Sequence, residues 1–523
     1  MECLEQIVSQ DNIDLYNIIF KYTLPLPIVH ESTNRRNIND DISETLIKTE
    51  YPEIDRFLWA GSKKEGFTIP ITANQPNNYV YLMSDFDLIA VLSGIIAIDK
   101  NASITELQHH EIFQVKDAPH PGFVKLFSVA DQQLFGVRFD TDCSGKVHFM
   151  RNNDCKATIN IPVNEIIDKK VVPLTSVTEK SAHGPALCFK IKSEHPAAAK
   201  TTVIAGTEVD VVLAVKMGSW PQAANNWHVR QRSCNWPSMD LINKIMCSAI
   251  HLVPVGHSKS DNSENEWRYS FTIPERILAQ SLSVFQRACY IMAKIFLKAA
   301  FAGDKCISPY LLKTTMFWLC EEIPCDNWTD DRMGYFVLML LYRLQCSLCR
   351  QELRHYFIPE NNMVDHISSK VLSNVVERLA VCIKDPLTFL FSFTEAHKYF
   401  GFYVHPSKDI FNPLIDLCKS EWNKSPKDTE MINSAIRNLL LEFVGLYSSW
   451  LKRNIAPPGD VITRPFAELK FRLLLGIAKD IQNIDKANTI DIIVNSIANK
   501  IETHNADNAT EFLSYAKSFL KSL

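Results

Sequence analysis

The sequence has no apolar run long enough to cross a membrane. Its longest runs, LIAVLSGIIAI and FVLMLLY, fall short of the roughly 20 residues that a membrane-spanning helix needs. It also lacks a basic surplus, since 55 Lys and Arg face 59 Asp and Glu and the formal net charge is −4. Nucleic-acid binding through global charge is therefore excluded, and any such contact must come from a local basic face.

Internal repeats, low-complexity tracts and the features of a secretory leader are also missing. The opening residues, MECLEQIVSQDNIDLY, carry acids where a signal peptide has basic residues, which predicts a cytoplasmic protein without membrane contact. In that reducing compartment the 14 cysteines are expected to be small core residues. With 523 residues the chain is long for one hydrophobic core, so two or more lobes are expected.

The local patterns change twice along the chain. A first helix near the start and a second at about 42–58, leading to Gly61, are predicted from apolar spacing. From Tyr79 to about Met217, short β-rich runs alternate with turns, and DCSGK is a predicted hairpin turn. Residues 277–302 read as one helix with an apolar stripe, and helices dominate the rest. The pattern predicts an α/β lobe followed by a larger helical lobe.

Three acids stand in otherwise apolar strands. Asp85 and Asp87 in SDFDL are two residues apart, so their side chains share one face of the strand. Two adjacent carboxylates repel unless a cation lies between them, and Mg²⁺ takes such ligands together with phosphate and water. Asp210 in TEVDVVLAV, or Glu208 on the same face, would complete a two-metal site for phosphoryl chemistry. The alternative is that they are solvating charges, which is our interpretation of the D-x-D at 140–142.

A Gly-Ser turn precedes these acids. Gly61 allows backbone to approach a ligand closely, and backbone N–H groups, the Ser62 hydroxyl and Lys63 or Lys64 could hold a triphosphate. The two lysines could equally form a solvated face. A Gly-Ser turn between a helix and a strand, followed by D-x-D and a third strand acid, is nevertheless far more specific than any one of these features.

With these motifs the sequence resembles the nucleotidyltransferase superfamily, and more closely the Mab-twenty-one family that includes cyclic GMP–AMP synthase and the cGAS-like receptors. The resemblance implies an α+β, bilobed nucleotidyltransferase fold, with a mixed β-sheet catalytic lobe and a helical C-terminal lobe. We therefore predict a nucleotidyltransferase core with an N-terminal bracing helix at 1–235, the helical lobe at 236–385 and a helical extension at 386–523. The matching segments, in the family's order, are GSKKEG, SDFDLIAVL, VDVVLAVKMGSWP, HLVPVGHS, EWRYSFTIPERIL, RACYIMAKIF, ISPYLLKTTMFWLCEE and LRHYFIPENN.

The resemblance also implies an activity. Asp85, Asp87 and Asp210 would be catalytic and would bind two Mg²⁺ or Mn²⁺ ions. The protein would be an innate immune sensor that joins ATP and GTP, or other nucleoside triphosphates, into a cyclic dinucleotide and releases pyrophosphate. A STING-type receptor would read the product, and the activating nucleic acid would bring a homodimer together. Two alternatives stay open, namely a catalytically inactive Mab-twenty-one scaffold and a nucleotidyltransferase that makes linear products.

Nucleotide-contacting positions follow from the same resemblance, one at a time. A lysine in an apolar helix often only extends its amine to solvent, and a helical tyrosine is often core packing, so each position also has a structural alternative. Pro309 stands where the relative has a serine. The expected nucleotide-binding residues are Gly61, Ser62, Arg268, Ser270, Lys294, Ser308 and Tyr310, with Thr272 as a neighbouring hydroxyl.

The sequence departs from cyclic GMP–AMP synthase where that enzyme carries a Cys- and His-rich zinc insertion. The corresponding interval here is RILAQSLSVFQRA, so no structural zinc is expected and double-stranded RNA is the expected activator. Helices are predicted around the zinc-like spacing of four other cysteines, Cys320, Cys325, Cys346 and Cys349. Candidates for a basic groove, which could equally be solvated surface, are Lys169, Lys170, Arg230, Arg232, Lys298 and Lys305.

Overall fold

The computed structural model describes parts of both predicted lobes. Asp85 lies outside the described residues, and so do Lys169, Lys170, Lys305 and nearly all of the predicted extension. Expectations for those residues stay predictions. The described residues are 2–10, 13, 16–17, 20, 54–72, 80–83, 86–99, 111–130, 134–135, 137–141, 146–151, 155–160, 176–183, 186–192, 207–301, 307–386 and 389.

The first lobe is built on a mixed β-sheet of ten strands, with a three-stranded and a two-stranded sheet beside it. The strands, in chain order, are β1 Ile54–Ala60, β2 Ile69–Thr72, β3 Val80–Met83, β4 Phe86–Ile98, β5 Glu111–Asp117, β6 Phe123–Ser128, β7 Leu134–Phe135, β8 Val137–Thr141, β9 Lys146–Arg151, β10 Cys155–Asn160, β11 Ser176–His183, β12 Ala186–Lys192, β13 Thr207–Met217, β14 His251–Val253 and β15 Trp267–Ser270.

The main sheet is mixed and closes on itself. Strand β4 pairs in parallel with β5 and with β13, whereas the other pairings in this sheet are antiparallel. Strands β4, β5, β6, β15, β14 and β13 each pair with the next, and β13 pairs back with β4. Strands β12 and β11 extend the sheet beyond β13, and β1 pairs with the first half of β4.

Helices make up the second lobe and connect it to the sheet. Within the described part of the chain, every helix is too short or too polar to cross a membrane. The predicted α+β class, with a mixed-sheet lobe and a helical lobe, is confirmed. The helices are α1 Glu2–Ile7, α2 Gly61–Glu65, α3 Asn225–Val229, α4 Met239–Met246, α5 Thr272–Ser281, α6 Val284–Ala300, α7 Pro309–Glu322, α8 Met333–Cys349 and α9 Ser369–Lys384.

Strands β4 and β13 are buried on both faces, which explains their nearly continuous apolar sequences. Leu88 and Leu213 pack into the main core, and Ile89 and Ala214 pack into a smaller cluster on the opposite face. Because side chains alternate along a strand, Asp87 shares its face with Ile89. Asp87 and Asp210 therefore lie near the start of strands that apolar side chains pack on both faces.

The N-terminal segment packs onto the helical lobe. Phe20 is buried against Phe296 of α6, with ring centroids 5.2 Å apart. Gly334 of α8 touches this segment so closely that a Cβ there would lie 2.4 Å from the backbone N of Asn17. The next residue, Tyr335, donates its backbone N–H to the Asn17 side chain at 2.8 Å. The predicted first helix thus docks on α6 and α8.

The helix predicted at 42–58 is wrong over its last residues, because Ile54–Ala60 is strand β1. The strand forms because its backbone pairs with β4, with Leu58 opposite Ile89, and tertiary pairing overrides local propensity. The Gly-Ser turn therefore connects a strand to the short helix α2, rather than a helix to a strand. The turn predicted at DCSGK lies mostly outside the described residues; the strands on either side of it, β8 and β9, pair antiparallel with Thr141 opposite Val147.

The single helix predicted at 277–302 is also wrong, because two helices, α5 and α6, share this stretch. The chain breaks at Ser283, whose hydroxyl accepts a hydrogen bond from the backbone N–H of Gln286 at 3.2 Å. The Gln286 side chain accepts one from the Ser283 N–H at 2.9 Å, which completes a capping box. Apolar residues keep their helical spacing from α5 into α6, so the sequence pattern did not indicate the break at Ser283.

Candidate active site

Asp87 and Asp210 lie opposite each other on the neighbouring parallel strands β4 and β13, where they are Cα partners. Paired residues of adjacent strands direct their side chains to the same face of a sheet, so the two carboxylates share one face. The register therefore places these two predicted acids side by side. Asp85 lies outside the described residues, and its position as a third acid stays a prediction.

The Asp210 carboxylate is incompletely satisfied. Its Oδ1 atom is buried and has no hydrogen-bond partner among the residues that the structure describes. Leaving a carboxylate oxygen buried without a partner costs stability, and such groups are usually paired or coordinate a metal. The oxygen-only donor set at this face fits a hard divalent cation.

The Gly-Ser turn lies directly against these acids. Ala60 is the strand partner of Asp87, so Gly61 begins α2 beside that carboxylate. Gly61 has a φ of +67°, and a Cβ at this position would lie 1.7 Å from Asp87 Oδ2. Only glycine combines this backbone conformation with so close an approach. The turn and the acid therefore form one surface.

Lys294 of α6 reaches this turn from the helical lobe. Its Nζ donates to Ser62 Oγ at 2.6 Å and to the Phe67 carbonyl at 3.1 Å. Burial, with the nearby charge of Lys298, lowers the pKa of Lys294 to about 7. The structure thus brings Gly61, Ser62 and Lys294 together with the two acids, as predicted for a phosphate-binding surface.

The lowered pKa gives Lys294 a stability effect that depends on pH. Above about pH 7 the folded protein loses this proton whereas the unfolded chain keeps it, so the free energy of unfolding rises with pH. We expect the wild type to gain about 2 kcal/mol more than Lys294→Met between about pH 7 and about pH 9. Urea unfolding at both pH values measures the difference, with Lys370→Met on the exposed face of α9 as the control. Equal gains in the wild type and Lys294→Met would contradict the assignment.

A buried ion triad connects α2 to the helical lobe. Lys313 Nζ of α7 donates to Glu65 Oε1 at 2.7 Å and to Glu275 Oε2 of α5 at 2.8 Å. All three side chains are buried. Burial opposes the lysine charge, but Glu275 and Glu65 together raise the pKa of Lys313 well above its ordinary value. The sequence analysis missed this triad; a lysine inside the apolar PYLLKTTMFW segment was its available signal.

The second group of predicted residues lines a cavity of about 410 Å³. Arg268 and Ser270 come from β15, whereas Ser308 and Tyr310 come from the start of α7. Ser308 caps α7 and accepts a hydrogen bond from the Tyr310 N–H at 3.1 Å. Among the described residues, neither strand acid lines this cavity. The predicted nucleotide contacts therefore fall into two groups, one at the Gly-Ser turn and one in this cavity. The triad of Lys313, Glu65 and Glu275, together with Lys294, connects the two groups.

The Tyr310 hydroxyl is fixed at the base of the cavity. It donates to Glu275 Oε1 at 2.6 Å and lies 3.1 Å from His355 Nε2. His355 Nδ1 accepts the backbone N–H groups of Phe357 and Ile358, so Nε2 carries the proton and donates to the tyrosine. Burial, with the nearby charge of Arg268, lowers the pKa of His355 to about 3, so the ring is neutral. These bonds hold the tyrosine ring at the cavity wall.

Two residues of the predicted basic groove have a different role. Arg230 NH2 and Arg232 Nε contact Glu321 Oε1 at 2.6 and 2.9 Å. Tyr356 donates its hydroxyl to the same oxygen at 2.7 Å, and the Arg230 guanidinium stacks 4.2 Å from the Trp318 ring. These arginines are engaged inside the helical lobe, so their assignment to a nucleic-acid groove is wrong. Lys298 is an exposed candidate.

Comparison with known proteins gives two adjacent family matches. Residues 146–281 match the model described as the Mab-21 protein nucleotidyltransferase domain, and residues 286–381 match the Mab-21 protein HhH/H2TH-like domain. Asp210, Arg268 and Ser270 fall in the first match, whereas Gly61 and Asp87 precede it. Nucleotidyltransferase domains generally use divalent metals, in keeping with the carboxylate donors here.

The chain is also similar to individual curated proteins. It is 27% identical over 190 residues to protein mab-21-like 3 of Danio rerio, a match that covers 35% of this chain and 46% of that protein. It is 28% identical over 151 residues to transmembrane protein 102 of Bos taurus, covering 28% of each chain, and 26% identical over 195 residues to that of Mus musculus, covering 36% of each. The matches span less than half of each relative. Together, these matches show a Mab-21 nucleotidyltransferase domain over residues 146–281, followed by a helical Mab-21 C-terminal domain over residues 286–381.

Proposed function

We propose that this protein joins two nucleoside triphosphates into a cyclic dinucleotide and releases pyrophosphate, as an innate immune response to nucleic acid in the cytoplasm. The observation that carries the proposal is the register of Asp87 with Asp210, with the Gly61–Ser62 turn packed against Asp87. An inactive scaffold has no physical need for two facing strand carboxylates, one of which has a buried oxygen with no hydrogen-bond partner in the described part of the chain.

The residues at this face fit two Mg²⁺ or Mn²⁺ ions. Asp87 and Asp210, with Asp85 as the expected third ligand, would hold them through carboxylate oxygens. When bound, such ions promote loss of a proton from the acceptor hydroxyl and stabilise the charge on the reacting phosphate and the departing pyrophosphate. The absence of Cys and His from the RILAQSLSVFQRA interval is the reason that no structural zinc is proposed there.

The protein's own contribution is positioning. Ser62 and the amine of Lys294, which already contact each other, are placed to hold the triphosphate of the donor nucleotide beside the acids. Arg268 and Ser270 would contact the acceptor nucleotide in the cavity, and the wall formed by Tyr310 would stack on its base. Because phosphoryl transfer needs little covalent chemistry from the protein, this alignment supplies most of the rate enhancement.

The activating ligand in this proposal is double-stranded RNA, recognised by its shape and backbone rather than by its base sequence. The missing zinc insertion supports RNA over DNA, because that insertion accompanies DNA sensing in the synthase that the sequence resembles. Ligand binding would bring two copies of the chain together, and a STING-type receptor would read the product. Lys298, a residue of the predicted basic groove, is exposed on α6 and would be available for a phosphate contact.

Product analysis tests the proposal directly. The full-length protein is incubated with labelled ATP, GTP, CTP and UTP in Mg²⁺ or Mn²⁺, with duplex RNA, duplex DNA or neither. We expect phosphatase-resistant product with duplex RNA, and at least about a hundred-fold less from Asp87→Asn, because the variant loses charge stabilisation at the reacting phosphate. Asp326→Asn, at an exposed acid that follows α7 in the helical lobe, is the matched control and is expected to match the wild type.

The other outcomes identify the alternatives. A phosphatase-sensitive product that needs Asp87 would replace cyclisation with linear nucleotidyl transfer. Equal signals from the wild type and Asp87→Asn under every ligand would leave the non-catalytic scaffold as the function. Product formation with duplex DNA alone would overturn the RNA assignment while keeping the enzyme.

A further inference from the structure

A second cluster of candidate ligands lies away from the strand acids. His120, His257 and Asp365 each offer a ligand atom, and these atoms all lie within 4.8 Å of one another. His120 is in the turn between β5 and β6, His257 follows β14, and Asp365 precedes α9. Both His257 and Asp365 line the rim of the cavity. Nothing in the spacing of the three residues along the chain points to a common site.

We propose that His120, His257 and Asp365 bind one divalent transition-metal ion of the zinc class. Two imidazoles and one carboxylate are a ligand set that Zn²⁺ takes, with its fourth position open to water or substrate. The nitrogen donors distinguish this cluster from the oxygen-only face of the strand acids, which suits Mg²⁺. His366 lies beside it, with Nδ1 3.9 Å from Asp365 Oδ1, within reach as a fourth ligand.

The loop that carries His257 is already built to hold that residue. The backbone N–H of His257 donates to Oε2 of the buried Glu266 at 2.9 Å, and the Ser260 hydroxyl donates to Glu266 Oε1 at 2.5 Å. The Lys259 amine donates to the backbone carbonyl of Asp365. Supporting contacts of this kind orient the ligands of metal sites. The contact of Lys259 with Asp365 joins the loop after β14 to the loop before α9.

Binding requires two small adjustments. His257 Nδ1 accepts the Lys259 backbone N–H at 3.2 Å, so Nε2 carries the proton and donates to Asp365 Oδ1 at 3.0 Å. If a metal ion bound His257 Nε2, the proton on that nitrogen would move to Nδ1, and the hydrogen bond from the Lys259 backbone N–H would be lost. The ion would then take the place of the hydrogen bond between His257 and Asp365. His120 stacks on His257 with centroids 3.7 Å apart, and rotation of this half-buried ring directs a nitrogen toward the same point.

A metal here would connect the two lobes at the cavity rim. The turn that carries His120 already meets the loop of Asp365 closely, since a Cβ on Gly122 would lie 2.5 Å from the side-chain nitrogen of Asn361. Adding bonds from one ion to both segments would hold this contact closed. The site does not depend on nucleotidyl transfer, because none of its ligands belongs to the strand acids.

Cobalt(II) serves as the spectroscopic probe of the site. The full-length protein is stripped with EDTA and titrated with Co²⁺, and the visible ligand-field absorption of a tetrahedral site is followed. We expect this absorption to saturate with one equivalent of Co²⁺, Zn²⁺ to abolish it by displacement, and the affinity of this site to fall at least about ten-fold in His120→Ala and Asp365→Asn. Stoichiometric Zn²⁺ is expected to raise the melting temperature of the wild type but not of either variant.

Two control variants separate this site from other histidines and acids. His228→Ala removes a histidine of α3, a helix that carries none of the proposed ligands, and Asp87→Asn disables the strand acids; both are expected to retain the cobalt absorption. The proposal is overturned if the wild type shows no such absorption, if the two ligand variants bind Co²⁺ as the wild type does, or if Asp87→Asn abolishes binding. His120 lies in a turn and Asp365→Asn preserves side-chain shape, so circular dichroism of both variants is expected to match the wild type.

Discussion

Asp210→Asn is expected to abolish nucleotidyl transfer while leaving the free energy of unfolding, measured without divalent ions, unchanged or higher. Activity is lost because the variant offers one anionic ligand fewer at the face shared with Asp87, a loss of at least about a hundred-fold for a group that stabilises transition-state charge. Stability is preserved because the substitution removes a negative charge whose Oδ1 is buried and has no hydrogen-bond partner among the described residues. Product formation and urea unfolding measure the two effects.

Loss of activity without loss of stability in Asp210→Asn distinguishes a metal ligand from a structural acid. A structural carboxylate would lose stability on substitution, since its partner would be left unsatisfied. Added Mn²⁺ is expected to stabilise the wild type against urea but not Asp210→Asn, and Asp326→Asn is expected to behave as the wild type in each assay. A large drop in the stability of Asp210→Asn without added metal would contradict the assignment.

Lys313→Met is expected to lower the free energy of unfolding by about 3–5 kcal/mol, the cost of breaking a buried ion pair by removing one partner. The variant leaves Glu65 and Glu275 buried and close together without the amine that separates them. Because Glu65 ends α2 and Glu275 lies in α5, the same change is expected to loosen the Gly-Ser turn from the helical lobe. Urea unfolding monitored by circular dichroism measures the loss.

A neutral triad is the decisive control. Combining Lys313→Met with Glu65→Gln and Glu275→Gln removes every charge, and is expected to recover most of the lost stability. Lys370→Met, on the exposed face of α9, is expected to change the free energy of unfolding by less than about 0.5 kcal/mol. If the triple variant is as unstable as Lys313→Met alone, the cost comes from packing and not from unpaired charge.

The site could be predicted from sequence where the chemistry lies in local patterns. The D-x-D spacing and the apolar strand around Asp210 predicted neighbouring carboxylates on one face, and the register of β4 with β13 agrees for Asp87 and Asp210. A Gly-Ser turn next to those acids was also visible in the sequence. Its flanking secondary structure was not, because IDRFLWA becomes a strand only through pairing with β4.

The residues that sequence analysis misassigned or missed depend on partners distant along the chain. Arg230 and Arg232 look like surface cations in sequence, and only the fold brings Glu321, about ninety positions later, against both. The Lys313 triad and the His120 cluster were missed for the same reason, since each gathers residues from three separate segments.

The sequence by itself predicted the resemblance to Mab-21 proteins, the α+β class and the candidate acids, because each of these depends on short-range spacing and on the order of motifs. The tertiary structure decided which charges face a site and which neutralise one another inside the helical lobe. The reason is physical: the energy of a buried charge depends on the few groups within several ångströms of it, and long-range pairing selects those groups.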